Sequence, residues 1–349
     1  MIYCIERGLK NQSIEHQVLQ MRMRMGDSLA VTLFGESHGL AVGSLIEGMP
    51  SGTEIDEKRL IEDMIQRRPG AKLTSKRKET DHVEILSGVY EGKATGEPIL
   101  LLIRNIDARS KDYGFLPDHP RPGHADYVAF MKSNGFSDLR GGGSYSGRLT
   151  AGLVAAGSIS RHCLPEEWII ASSVHTIGGL SGSDGEDLAK SCQSSGDSIG
   201  SQVLLTLRGL PIGLGEPWFD GLEPAMAGAL MAIPAARAVE FGHGVKAAEM
   251  RGSEHNDAWG EDFTLREGAD GAIGGLTTGA EVRILVTFKP PSSIPKPQKT
   301  WHGGLKEMRD LIVGGRHDSV LAPRARPVVE AVARLVLTDL GIRGGFIDA

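Results

Sequence analysis

Short apolar runs and amphipathic segments alternate along the chain, and turns rich in Gly and Pro separate them. Consecutive or alternating apolar residues predict strands, whereas apolar residues three and four positions apart predict helices. The predicted strands cover residues 29–34, 83–86, 99–103, 168–175, 202–207 and 281–288. The predicted helices cover residues 57–68, 125–133, 149–163, 221–231 and 322–340. This mixture predicts a fold of the α+β class.

Two of the predicted helices have distinctive neighbourhoods. Asp56 can cap the helix at 57–68, and Pro69 with Gly70 ends it. The helix at 149–163 is rich in Ala and Gly, which indicates close packing against its neighbours. The stretch RGGGSYSGR at 140–148 precedes that helix, and a Gly-rich turn at a helix start exposes backbone N–H groups that suit an anion. The stretch matches neither of the common nucleotide-binding motifs.

The length of 349 residues is sufficient for one large domain or two smaller ones. No break in composition divides the chain, so we expect a single domain over residues 25–349. Residues 1–24 are expected to be an N-terminal tail or the product of an over-long start assignment. A short amphipathic helix packed on the domain is the alternative for that segment.

Charge and cysteine content narrow the class of protein. The net charge of −6 offers no general attraction for nucleic acid, so an anionic substrate would need a local cluster of cations. The three cysteines form no CxxC pair, which fits a reducing cytoplasm and argues against a disulfide framework or a zinc site. No apolar run reaches the roughly 18–20 residues that span a bilayer. We therefore expect a cytoplasmic protein with no metal, nucleic-acid or membrane site.

Three turns carry candidate chemistry. They are FGESHG at 34–39, RPGHADY at 121–127 and GRHDS at 315–319, and each contains a titratable side chain next to Gly or Pro. The backbone of such turns approaches ligands closely. Convergence of His38, His124 and Asp318 on one pocket would suit proton transfer around a phosphorylated substrate. The alternative at each position is an ordinary turn residue.

Two further segments are candidates for binding anions. Lys72 and Arg77 belong to a basic stretch that follows Arg67, and this stretch is either a solvated loop or a clamp for phosphate or carboxylate. The segment KPPSSIPKP at 289–297 is either a stiff linker or a phosphate cradle, with Lys289 at its start and two serines inside it.

From about residue 26 to residue 337, the chain resembles chorismate synthase, the enzyme at the end of the shikimate pathway. The resemblance rests on many short motifs in the order in which the family has them. They are FGESHG at 34–39, RRPG at 67–70, RKE at 77–79 with Asp81, EILSGV at 84–89, RPGHAD at 121–126, GSEHND at 252–257, FKP at 288–290, KPQKT at 296–300 and GRHD at 315–318.

The resemblance implies a carbon–oxygen lyase that converts 5-enolpyruvylshikimate 3-phosphate to chorismate and phosphate. This anti-1,4-elimination requires reduced FMN without net redox change. The family fold is a β-α-β sandwich with helices between antiparallel sheets, usually assembled as a homotetramer. Some members of the family reduce the flavin with NADPH themselves, and others rely on a separate reductase.

The resemblance also implies roles for particular residues. His38 would protonate the leaving phosphate, His124 would protonate the reduced flavin, and Asp318 would help to remove the C6 proton. The implied FMN contacts are Ser144, Tyr145, Ser146, Ala235, Gly274, Lys289, Pro290, Pro291, Ser292, Ser293 and Arg316. The implied substrate or NADP contacts are Arg67, Lys72, Arg77 and Arg148.

The chain departs from the common family pattern mainly among the flavin contacts. Ser144 stands where Arg is usual, Tyr145 where Ser is usual, and Leu149 where Glu is usual. Lys72 replaces an Arg, which keeps the charge but loses the two-pronged guanidinium. The changed Gly-rich loop leaves a non-catalytic relative that binds flavin or an anion as one alternative to the synthase prediction. The turn RHD at 316–318, which resembles a phosphate-transfer turn, leaves a histidine-dependent phosphatase as the other.

Overall fold

A computed structural model describes residues 21–68, 80–106, 110–263, 265, 270–315 and 317–348. Its strands are β1 (Arg24–Met25), β2 (Ala30–Gly35), β3 (Ala41–Glu47), β4 (Val83–Ile85), β5 (Val89–Tyr90), β6 (Lys93–Ala94), β7 (Ile99–Arg104), β8 (Ile169–Ile177), β9 (Ser201–Arg208), β10 (Ala236–Phe241), β11 (Ala272–Ile273), β12 (Leu276–Thr277), β13 (Val282–Phe288), β14 (Gln298–His302) and β15 (Glu307–Leu311). Its α-helices are α1 (Glu57–Arg67), α2 (Asp126–Lys132), α3 (Thr150–Ile159), α4 (Gly182–Ser194), α5 (Leu222–Met231), α6 (Gly252–His255) and α7 (Ala322–Arg343).

Two antiparallel sheets form the outer layers of the fold. The first has the strand order β1-β2-β3-β7-β4, and the second has the order β10-β13-β9-β8. Buried side chains alternate along the central strands, as in Ile99, Leu101 and Ile103 of β7. This period of two turns one apolar face of each sheet towards the interior.

A layer of helices lies between the two sheets. Helix α3 packs on β3 and β7 of the first sheet, α7 packs on β8 and β9 of the second, and α3 and α7 pack on each other. One continuous hydrophobic core joins residues from both sheets and from these helices. The chain therefore forms a sandwich of sheet, helices and sheet, which confirms the predicted α+β layers.

Glycines allow α3 to approach its neighbours closely. A Cβ at Gly152 would lie 2.7 Å from the carbonyl oxygen of Gly43 in β3, and a Cβ at Gly157 would lie 2.7 Å from the Cα of Ala331 in α7. Both distances are shorter than real Cβ contacts allow. The prediction of close packing from the small residues of this helix is confirmed.

The predicted elements are present, with shifts at their ends. Helix α1 begins after Asp56, whose carboxylate accepts a hydrogen bond from the Arg59 N–H (3.0 Å). The helix predicted at 149–163 ends at Ile159 and continues as a 3₁₀ turn over Ser160–Cys163. Helix α4, with 13 residues, lies between β8 and β9. Strands β3 and β10 and the hairpin β14–β15 were not predicted.

The described structure begins inside the segment that was expected to be an N-terminal tail. Of the segment 1–24, residues 1–20 lie outside the described residues, and β1 begins at Arg24. The single domain expected over 25–349 stays a prediction. Among the helices of the described ranges, none has the length and apolar character needed to cross a membrane.

Candidate active site

A cavity of about 580 Å³ opens where several elements end or begin. Strands β2, β7 and β13 end beside it, β10 begins beside it, and helices α3 and α7 start at its wall. A volume between about 300 and 1,000 Å³ is typical of sites for small organic ligands. The N-termini of α3 and α7 add the positive ends of two helix dipoles.

His124 is oriented by a buried carboxylate in its own turn. Its Nδ1 lies 2.7 Å from Oδ1 of Asp126, whose side chain is completely buried. An ionised carboxylate can only accept, and its contact is shorter than the 3.1 Å between Nδ1 and Nη2 of Arg121, so it favours the ring proton on Nδ1 and leaves Nε2 for exchange with a ligand. Arg121 donates to both carboxylate oxygens of Asp126, at 2.8 and 2.7 Å.

The charge of Asp126 is stabilised by these neighbours. Burial alone would raise the pKa of the Asp126 carboxyl, but the hydrogen bonds from Arg121 and His124 outweigh burial and hold the pKa far below its usual value. Asp126 therefore remains an anion at every pH at which the protein is expected to work, and His124 always faces a negative partner.

His38 lies in the turn between β2 and β3, opposite an aromatic ring. The rings of His38 and Tyr113 meet edge to face, with centroids 5.1 Å apart and an interplanar angle of 87°. The guanidinium of Arg121 lies 5.4 Å from the centroid of the same Tyr113 ring. Tyr113 thus links the His38 turn to the turn that carries His124.

The glycine triplet at 141–143 makes room for both histidines. A Cβ on Gly141 would lie 2.5 Å from Cδ2 of His38, and a Cβ on Gly142 would lie 2.9 Å from Cε1 of His124. Both glycines also have positive φ angles, 63° and 90°. The triplet does not lead directly into α3, because a 3₁₀ turn over Gly147–Leu149 lies between the triplet and the helix. Its role in the described structure is to let the backbone approach the two imidazoles.

Arg67 and Arg148 share one buried carboxylate, Asp81. Arg67 donates from Nη1 to Oδ2 of Asp81 (2.9 Å), and Arg148 donates from Nη1 to Oδ1. The side chain of Asp81 has no exposed surface. Burial raises the pKa of Asp81, but the charges of Arg67 and Arg148 outweigh burial and lower it overall. The two cations are thereby held side by side at the cavity wall.

Asp318 lies four residues before α7 and pairs with an arginine of that helix. Its Oδ2 accepts from Nη1 of Arg324 (2.7 Å), and Nε of Arg324 donates to the carbonyl of Arg67 (3.2 Å). This chain of contacts connects Asp318 to the arginine pair on Asp81. The carboxylate is therefore fixed in orientation where it faces the cavity.

A second group of cations lines the cavity beside the turn that carries His124. Lys289 donates to Oγ of Ser292 (3.1 Å) and to the carbonyl of Gly123, and Arg237 donates to the carbonyl of Ala236 (3.1 Å). Within the described residues, neither cation has a carboxylate partner. Burial, and then the charge of Arg237, lower the pKa of Lys289. These effects favour a bound anion, because a negative charge would compensate both cations.

The described lining of the cavity has an excess of positive charge. Seven arginine or lysine side chains but only two carboxylates, Asp81 and Asp318, belong to it; the cations are Arg67, Arg104, Arg121, Arg148, Arg237, Lys289 and Arg324. A protein with a net charge of −6 has therefore concentrated cations at this site. In the described ranges, no cluster of His, Cys, Asp or Glu could hold a metal ion.

Most of the site residues predicted from the sequence meet in this cavity. The residues that line it are His38, His124, Asp318, Ser144, Tyr145, Ser146, Ala235, Lys289, Pro290, Pro291, Ser292, Ser293, Arg67 and Arg148. Gly274 does not line it, since it lies in the turn of the hairpin β11–β12. Lys72, Arg77 and Arg316 lie outside the described residues.

Comparison with known proteins shows the family of the chain. The family model described as chorismate synthase matches residues 29–342. The chain belongs to the chorismate synthase family. The chorismate synthase of Aeropyrum pernix is 43% identical over 353 residues, which cover 91% of this chain and 92% of that protein. The chorismate synthase of Chitinophaga pinensis is 43% identical over 316 residues, with 90% and 95% covered.

A solved structure supports the same membership. A crystal structure of chorismate synthase superposes with a TM-score of 0.69 at 25% identity, covering 91% of this chain and 93% of that one. The sandwich predicted from the resemblance to chorismate synthase is therefore confirmed, as is the assignment of the chain to an enzyme family of lyases.

Sequence reasoning on the chorismate synthase motifs gave no role to several residues that shape the site. Asp126 and Arg121 stand in the same turn as His124, and an Asp two residues after a His was an available signal. Asp81 was recognised only as part of a motif and received no role, because its partner Arg148 lies 67 positions away in the chain. Tyr113 and Arg237 lie in segments without a distinctive pattern, so nothing in the sequence pointed to them.

Proposed function

We propose that this chain converts 5-enolpyruvylshikimate 3-phosphate to chorismate and phosphate by anti-1,4-elimination, with reduced FMN as the cofactor. The convergence of two histidines and Asp318 on a single cationic cavity carries the proposal. The substrate has a phosphate and two carboxylates, so it needs several cations, and the elimination needs groups that give and take protons.

The residues around Lys289 fit the phosphate of FMN. Two cations without a carboxylate partner in the described structure, together with the hydroxyl of Ser292, form a set of donors that an anion would satisfy. When bound, reduced FMN supplies the electron density that assists the departure of phosphate. The other FMN contacts that we propose are Ser144, Tyr145, Ser146, Ala235, Pro290, Pro291, Ser293 and Arg316.

We assign the substrate to the side of the cavity lined by Arg67 and Arg148, with Lys72 and Arg77 as further contacts. The shared carboxylate of Asp81 holds both guanidinium groups before any ligand arrives. Side chains that are already oriented lose little conformational entropy when a ligand binds. Less of the favourable energy of binding an anionic substrate is therefore offset by ordering these two cations.

Three side chains hold or move protons in this proposal. His38 donates a proton to the leaving phosphate, and Tyr113 restricts the plane of its ring. His124 holds an exchangeable proton at Nε2, because Asp126 retains the Nδ1 proton. Asp318 accepts the C6 proton at its carboxylate, which Arg324 keeps in orientation.

Family membership also suggests the oligomeric state, the location in the cell and the source of electrons. We propose a homotetramer in the reducing cytoplasm, in keeping with the free Cys163 and Cys192. The source of electrons is either NADPH acting on the flavin of this chain or a separate reductase.

An anaerobic assay tests the proposal directly. The protein would be mixed with photoreduced FMN and 5-enolpyruvylshikimate 3-phosphate, and chorismate would be followed by its absorbance. We expect chorismate only when the flavin is reduced and the substrate is present. Binding of reduced FMN without any chorismate would instead make the chain a non-catalytic relative. Release of phosphate that is independent of flavin would indicate a phosphatase.

A further inference from the structure

Asn105 occupies the position where β7 meets the turn of His38. It directly follows Arg104, the last residue of β7. Arg104 pairs with Ala41, the first residue of β3. The Asn105 N–H donates to the carbonyl of Leu40 (3.1 Å). The end of the strand ladder therefore sets Asn105 beside the loop that joins β2 to β3.

The side chain of Asn105 makes three hydrogen bonds in two directions. Its Nδ2 donates to the carbonyls of Glu36 (2.9 Å) and Gly39 (3.0 Å), which lie on either side of His38. Its Oδ1 accepts from Nε of Arg148 (2.9 Å). One amide group thus joins the His38 turn to the arginine pair on Asp81.

Only a carboxamide of this length suits both ends of the bridge. The two carbonyls require N–H donors, whereas the arginine requires an acceptor, and Asn supplies both on one rigid planar group. An Asp would retain the acceptor for Arg148 but would direct a carboxylate oxygen at two carbonyl oxygens. An Ala would remove all three hydrogen bonds.

We infer that Asn105 is a positioning residue that fixes His38 relative to Arg148. The inference rests on the proposed function, in which His38 donates a proton to the leaving phosphate while Arg148 holds the anionic substrate. A backbone hydrogen bond from the Ser37 N–H to the carbonyl of Gly143 (3.1 Å) also joins the two loops, but among the described residues only Asn105 bonds both to the carbonyls around His38 and to the Arg148 side chain. A misplacement of about 1 Å can reduce turnover roughly a hundredfold.

The test compares Asn105→Asp, Asn105→Ala and the control Asn134→Asp. Asn134 is exposed after the end of α2 and does not line the cavity, so the same chemical change there should leave turnover unaltered. For Asn105→Asp we expect kcat to fall roughly tenfold to a hundredfold with little change in KM. For Asn105→Ala we expect a similar fall in kcat and a higher KM, because Arg148 also loses a partner.

Hydrogen exchange supplies a readout that does not need activity. The Gly39 N–H is bonded to the Glu36 carbonyl inside the His38 turn, and in Asn105→Asp we expect it to exchange roughly tenfold faster. If Asn105→Ala does not fold, the nearly isosteric Asp variant carries the test. Wild-type kcat in Asn105→Asp, or a fall in kcat with unchanged exchange, would overturn the inference. Absence of chorismate with the wild-type protein would instead overturn the proposed function, and exchange would still test the bridge.

Discussion

At the scale of single residues, the site depends on buried carboxylates that pair with neighbouring arginines and compensate their charges. Asp81 neutralises part of the charge of Arg67 and Arg148, and Asp126 does the same for Arg121 while it orients His124. Removing one member of such a group leaves another charge without its partner in a poorly solvated position. Such removal usually costs far more than the intact group contributes.

Asp81→Asn should therefore destabilise the protein. The change leaves two buried guanidinium groups facing each other, and we expect the free energy of unfolding at pH 7 to fall by about 3–5 kcal/mol in urea titrations. Because the folded pKa of Asp81 lies below its usual value of 3.8, its contribution is present above that pH and is lost as the pH falls through the folded pKa. The difference from wild type should accordingly shrink in acid below about pH 4.

The control for this change is Asp310→Asn, on the exposed face of the hairpin β14–β15. We expect it to alter the unfolding free energy by no more than about 0.5 kcal/mol. Equal stability of Asp81→Asn and wild type at pH 7 would show that the arginine pair does not depend on Asp81.

Gly142→Ala should impair catalysis more than folding. Its new Cβ would meet the His124 ring at 2.9 Å, whereas Gly179, with a similar φ of 82°, has open space where a Cβ would stand. Alanine at either position costs about 1–2 kcal/mol of backbone strain. Only Gly142→Ala should also lower kcat, by roughly tenfold to a hundredfold. Comparable kcat values for the two variants in the chorismate assay would refute this role for the glycine.

At the scale of secondary-structure elements, the sequence predicted those with a strong hydrophobic period. Helix α1 has a capping Asp and apolar residues at helical spacing, and β9 and β13 alternate between buried and half-exposed side chains. Strand β3 was missed because Gly43 and Ser44 interrupt its apolar residues. Ser44 is buried nonetheless, donating from Oγ to the carbonyl of Gly152 in α3 (3.1 Å). The hairpin β14–β15 was missed because most of its side chains are exposed, so no apolar period marks it.

The close packing of α3 predicts opposite effects for two helical glycines. Gly157→Ala would drive a Cβ to 2.7 Å from α7, and we expect the free energy of unfolding to fall by about 1–3 kcal/mol. Gly228→Ala, at an exposed position of α5 with nothing within 4 Å, should raise it by about 0.4–1 kcal/mol. Thermal or urea unfolding distinguishes them. A stabilising Gly157→Ala would mean that α3 and α7 are not in contact as described.

At the scale of the whole molecule, the cavity exists only because distant parts of the chain meet. Motifs from residue 38 to residue 318 supplied the candidates, and the resemblance supplied their roles, but neither could show which cations are already paired. Arg67 illustrates this limit. The sequence offered it as a cation for the substrate, and in the fold it lines the cavity with its guanidinium already bonded to Asp81, Thr150 and a backbone carbonyl. Such pairing depends on long-range packing, which no local pattern encodes.

The proposal that the flavin phosphate lies beside Lys289 predicts a specific effect on FMN binding. Lys289→Ala should weaken the binding of FMN roughly tenfold to a hundredfold, because a charged hydrogen-bond donor is lost. Lys296→Ala is the control, since Lys296 is half-exposed and pairs with Asp197 at 2.7 Å. Fluorescence titration with FMN would measure both. Equal affinities of the two variants would argue against a flavin phosphate beside Lys289.

The most direct test of the account is a single-turnover measurement with His38→Ala and His124→Ala. Each variant would first be shown to fold and to bind reduced FMN, and chorismate formation would then be followed anaerobically against wild type. The account predicts that wild type forms chorismate and that each variant does so roughly 10²–10⁴ times more slowly. Wild-type rates in both variants would contradict it, because the two histidines would then have no part in the chemistry.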